Sequence, residues 1–119
     1  MTKLTEWIGV DLDGTLANYE GWNGIADIGK PIPKMLNRVK NWLDEGREVK
    51  IFTARVSAAS VSISGGCLKN VRGPIERWCL KYVGRVLPIT CEKDLAMTEL
   101  WDDRCIQVVP NTGERVDGL

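Results

Sequence analysis

The chain has 119 residues, 44% apolar and 27% charged, and its 16 basic and 16 acidic side chains cancel to a formal charge of zero. This is the make-up of one globular domain that can bury a core without disulfide staples. With no long like-charge run there is no strong nucleic-acid patch. No apolar stretch approaches a transmembrane span, and residues 1–4 lead into no signal-peptide core, so a soluble cytoplasmic protein is expected. Histidine is absent, and Cys67, Cys79, Cys91 and Cys105 form no Cys-x-x-Cys pair. Zinc-finger spacing and His-based triads are thereby removed. The thiols are expected to be reduced and mostly packed as small hydrophobes. Any catalysis must run on carboxylates, lysine and hydroxyls.

The first strand is expected over residues 6–11, and it leads into Asp11-Leu12-Asp13-Gly14-Thr15-Leu16. Side chains alternate along a strand, so Asp11 and Asp13 fall on one side. At a strand tip two unpaired carboxylates repel each other and call for a hard cation such as Mg²⁺. An ordinary strand followed by an Asp-Gly turn is the other reading, and the pair alone does not choose. Residues 17–33, rich in Gly and Pro, read as an irregular loop or short flap. A helix is expected over 33–45, with Met35, Leu36, Val39, Trp42 and Leu43 at helical spacing and Gly46 as its C-cap.

A second strand follows over 48–53. Residues 57–66 read as a Ser/Gly-rich loop with at most one helical turn. Residues 73–82 read as a helix with Ile75, Trp78, Cys79 and Tyr82 on one face. Short strands are expected over 86–89, 99–102 and 105–109, with a loop over 90–94 and a tight turn over 111–114. Strands alternating with helices predict an α/β domain, a Rossmann-like, mainly parallel sheet flanked by helices, spanning 1–119 as one unit.

In such a sheet the C-terminal strand tips share one edge, where ligands bind. That edge collects Asp11 and Asp13, then Thr53, then Lys93 from the preceding loop, then Asp102 and Asp103. Singly, each has an ordinary reading: Thr53 as a strand end, Lys93 as a solvated lysine, Asp102-Asp103 as a turn. Their order and placement argue for one site.

The ordered set resembles the haloacid dehalogenase (HAD) superfamily over about residues 6–109. It consists of Asp-x-Asp-Gly-Thr after an apolar strand, a strand ending in Thr, a Lys, and a strand ending in Asp-Asp. Ile-Phe-Thr-Ala-Arg and Leu-Trp-Asp-Asp-Arg also look like small phage and bacterial members. The resemblance implies a Mg²⁺-dependent phosphatase working through an aspartyl-phosphate. Asp11 would be the nucleophile and Asp13 the general acid and then base. Mg²⁺ would be bound by Asp11, Asp102 and the Asp13 backbone carbonyl, with Asp103 in the outer shell or orienting Lys93. Thr53 and Lys93 would hold the phosphoryl group, Lys93 being preferred to Lys81. Arg55, Arg72 and Arg104 are candidates for substrate contact, with surface salt bridging the other reading for each.

Neither residues 17–33 nor residues 54–92 leave room for a cap domain, so a capless member is expected. Its open cleft would suit a nucleotide or large phosphorylated substrate, or would be covered by a second copy in a homodimer. Tyr19 and Trp22 in the flap are read as packing on the sheet edge, with stacking on a base or sugar as the alternative. A phosphotransferase, or a receiver-like module phosphorylated on aspartate, are the competing functions.

Overall fold

Trp7-Ile8-Gly9-Val10 forms β1 (Trp7–Val10), buried along its whole length. A continuous apolar run of this kind is what a central parallel strand needs, since both its faces are covered. β1 pairs in parallel with β2 (Glu48–Phe52) on one side and with β4 (Met97–Trp101) on the other. β3 (Ile89–Thr90) pairs in parallel with β2. The sheet order is β3-β2-β1-β4. This computed structural model describes residues 5–118. The leader reading of residues 1–4 falls outside the described residues, as does residue 119.

Helix α1 (Pro33–Asp44) starts with Pro at its first position, where a missing N–H costs nothing. It ends as expected at Gly46, whose N–H donates to Leu43 O while the Arg47 N–H donates to Trp42 O. These two bonds make a Schellman motif. Met35 and Val39 of α1 join Ile8, Val10, Val49 and Ile51 of the sheet and Ile75 and Cys79 of α3 (Leu68–Tyr82) in one core. Helices flank an all-parallel sheet, and no cap domain interrupts the described chain.

Three expectations are corrected. Residues 57–66 are not chiefly loop. A 3-10 turn over Ala54–Val56 leads into α2 (Ala58–Ile63), capped by Ser57, whose hydroxyl accepts from Ser60 N at 3.2 Å. The helix expected from residue 73 starts five residues earlier, at Leu68, and carries Pro74 inside it. Gly73-Pro74 imitates a helix start, but Pro74 is the seventh residue of α3, where it has no N–H to give the Asn70 carbonyl one turn back.

The strand expected over 105–109 does not join the sheet. β4 is the sheet's outer strand, and the chain leaves it at Asp102, turns, and folds back on itself. Val109 N donates to Glu114 O at 2.7 Å and Val116 N donates to Gln107 O at 2.9 Å. The small hairpin turns through Asn111, at φ 65°. Its apolar residues, Ile106 and Val108 among them, remain exposed. The cysteines are all free, but only Cys79 is fully buried.

Candidate functional site

The site begins with the way the chain leaves β1. The Asp11 N–H continues the ladder, donating to Trp101 O at 2.9 Å. Leu12 and Leu16 are then fully buried, and they pin the intervening loop to the core. Leu12 points into the core, while Asp11 and Asp13, beyond the end of the strand, are partly exposed at the cleft. The loop tightens through bonds from Leu16 N and Ala17 N to Leu12 O. Gly14 sits at φ +90°, and a Cβ there would lie 2.5 Å from Asp103 Oδ2. Glycine therefore serves both the turn and the close approach of the β4 tip.

Asp11, Asp102 and Asp103 each offer a carboxylate oxygen, and the three oxygens lie within 4.8 Å of one another. The Asp11 carboxyl is pushed up to about 7 from its ordinary 3.8. Burial is the main cause, followed by a hydrogen bond with Asp103 and repulsion from Asp102 and Asp103. Thr15, whose hydroxyl donates to Asp11 Oδ2 at 3.3 Å, opposes the rise. An all-oxygen, all-acidic donor set on two neighbouring strand tips suits a hard divalent cation. Asp102 Oδ1 also accepts from Arg104 N at 2.7 Å, which fixes its turn.

The other candidates are distributed as follows. Thr53 is buried at the tip of β2 and lines the same cleft as Asp11 and Asp102. Its hydroxyl accepts from Arg55 N at 3.2 Å and keeps its own proton for a ligand. Lys93 is exposed in the loop after β3 and is not among the residues lining the cleft. Arg72 does not line it either; Arg104 does.

Arg55 has a place that residue order did not reveal. Its side chain is only 5% exposed and grips Asp13 with two bonds, Nε to Oδ2 at 2.7 Å and Nη2 to Oδ1 at 2.8 Å. The same guanidinium donates to the Ile25 and Asp27 carbonyls at 3.3 and 2.9 Å. It thus ties Asp13, the end of β2 and the 17–33 flap together. Asp13 keeps its side chain out of the acidic trio.

The flap is further anchored by Trp78, whose Nε1 donates to Gly29 O at 2.8 Å. Trp22 does not pack on the sheet edge. It lies over the Arg55 guanidinium at 4.8 Å and lines the cleft with Tyr19. The cleft measures about 620 Å³, a size typical of small-ligand sites.

Known families, curated proteins and solved structures give no match. The cleft brings together Asp11, Asp13, Thr53, Arg55 and Asp102, with Asp103 joining through the acidic trio. Of the predicted residues, Lys93 and Arg72 stand apart. The sequence offers a place for Trp22 at the cleft only as the alternative to packing, and it names no partner for Arg55. Neither placement is decided in one dimension, because both depend on how the flap folds over the end of β2.

Proposed function

We propose that the chain is a capless, HAD-like, Mg²⁺-dependent phosphatase, soluble and cytoplasmic, that hydrolyses phosphate monoesters through an aspartyl-phosphate. The observation that carries this reading is the convergence of Asp11, Asp102 and Asp103 beside Thr53 and Asp13. A carboxylate nucleophile, a second carboxylate for proton transfer and a hydroxyl donor then meet in one cleft.

In this reading an Asp11 oxygen attacks phosphorus, the P–O bond to the leaving group breaks, and an acyl phosphate forms on Asp11. Asp13 would act first as acid toward the leaving oxygen and then as base toward the water that cleaves the acyl phosphate. Both of its oxygens accept from Arg55 in this structure, so it must release one of those bonds and take a proton from solvent before it can give one. Thr53 donates its hydroxyl proton to a phosphoryl oxygen. Arg55 fixes the Asp13 carboxylate through two bonds, so it positions Asp13 rather than contacting the substrate. Asp11, Asp102 and Asp103, with the Asp13 carbonyl, would hold Mg²⁺, which would supply positive charge for the phosphoryl oxygens. Lys93 stands outside this machinery.

The test is phosphate release from an unactivated monoester panel with Mg²⁺, with chelator, and with Asp11→Asn. Turnover that needs the metal and disappears in the variant is expected. Full turnover by Asp11→Asn ends the aspartyl-phosphate reading.

A further inference from the structure

The flap contains apolar residues that pack and aromatic residues that do not. Ala17 is fully buried, and Ile28 and Ile32 lean on the core. Tyr19 and Trp22, by contrast, remain 39% and 52% exposed at the cleft. Leaving a large aromatic surface in water is unfavourable, and here it lies beside the acidic trio.

Trp22 is also held in place. Its ring lies on the Arg55 guanidinium, and Arg55 is fixed by Asp13 and two flap carbonyls. No second aromatic ring stacks on Trp22 among the described residues. The indole is therefore a shelf with one face backed by a buried cation.

The cleft is far larger than a phosphoryl group needs, and Phe52 and Ile63 add apolar wall to that of Trp22 and Tyr19. Its lining cations are Arg55, already paired with Asp13, and Arg104. A polyanion would find no basic track to follow.

We infer that Trp22, with Tyr19 beside it, is a stacking platform for a planar ring carried by the substrate. The substrate class is then a monophosphate ester bearing an aromatic or heteroaromatic ring, such as a nucleoside monophosphate. This inference rests on the phosphatase reading for its chemistry but not for its binding. Base-on-aromatic stacking is worth ~1–3 kcal/mol, so a ring should improve recognition by roughly 5- to 150-fold.

The experiment compares kcat/KM for two substrate pairs, each pair sharing its type of leaving oxygen. Adenosine 5′-monophosphate is set against ribose 5-phosphate, and benzyl phosphate against cyclohexylmethyl phosphate. Dissociation constants of all four are measured by calorimetry on Asp11→Asn protein with Mg²⁺. A preference of about fivefold or more for the ring-bearing member is expected, collapsing in Trp22→Ala and retained in Trp22→Phe. Preference in both pairs assigns any planar ring; preference in the nucleotide pair alone assigns a nucleoside. Equal values within both pairs, or a preference that survives Trp22→Ala, overturn the inference. Loss of Arg55 support in Trp22→Ala would lower both members together and leave their ratio unmoved. Tight, Trp22-dependent binding without phosphate release from any substrate keeps the shelf and rejects the phosphatase.

Discussion

Replacing Arg55 with Ala should cost stability as well as activity, and the amount follows from the structure. The Arg55 side chain is 5% exposed and that of Asp13 is 19% exposed. Removing one partner of a fully buried ion pair costs about 3–5 kcal/mol, because the remaining charge is left unpaired. Asp13 keeps some access to water, which lowers its share. The lost bonds to the Ile25 and Asp27 carbonyls restore part of it, at about 1 kcal/mol each less rehydration. The expected loss is about 3 kcal/mol, which in a domain of this size lowers Tm by roughly 10–15 °C.

Urea unfolding followed by tryptophan fluorescence measures the loss directly, with an unchanged m-value as the condition for comparing variants. A double-mutant cycle with Asp13→Asn should give a coupling of about 2 kcal/mol. Arg55→Lys should recover little, since one ammonium cannot reproduce the paired bonds. A loss below about 1 kcal/mol for Arg55→Ala, or additive single variants, would refute the view that this pair fastens the flap to the sheet.

Three further outcomes are expected. Asp11 carries its proton more tightly in the folded chain, at about 7 against an ordinary 3.8, so metal-free protein should lose stability as pH rises through that interval and level off above it. Mg²⁺ favours the ionised carboxyl and should remove the decline; urea midpoints at pH 5 and pH 8, with and without metal, check both signs. Gly14→Ala meets a left-handed φ and an Asp103 oxygen at 2.5 Å; it should cost about 1–3 kcal/mol and weaken Mg²⁺ binding, read by calorimetry. Trp78→Phe deletes the 2.8 Å bond to Gly29 O and should cost about 1–2 kcal/mol, with faster amide exchange in the flap around Gly29.

What the sequence made legible is what local chemistry determines. β1 announces itself as an unbroken apolar run, α1 by the period of Met35, Leu36, Val39, Trp42 and Leu43 between Pro33 and Gly46, and the site by acidic and hydroxyl residues at strand tips. The parallel sheet followed from the alternation of elements. Residues 105–109 misled because β-branched residues signal extended backbone and do not reveal whether a partner strand is within reach. The start of α3 misled because Gly73-Pro74 looks like a boundary. For Arg55 the sequence leaves substrate contact and a surface salt bridge both open, and names no partner. Only the folded flap shows Arg55 turned toward Asp13. Lys93 illustrates the converse, since its place in the chain's order suits the site while its side chain stands in solvent.

The pairing of β1 with β4 has a consequence for how the protein is made. Asp11 leaves the ribosome roughly ninety residues ahead of Asp102 and Asp103, a lead of roughly 5–20 s at ordinary rates of synthesis. Until β4 docks, β1 has one open edge and Asp11 lacks the neighbours that raise its proton affinity and complete the acidic trio. A nascent chain carrying only the first three strands would therefore lack the three-carboxylate cluster, which forms only once β4 has docked on β1.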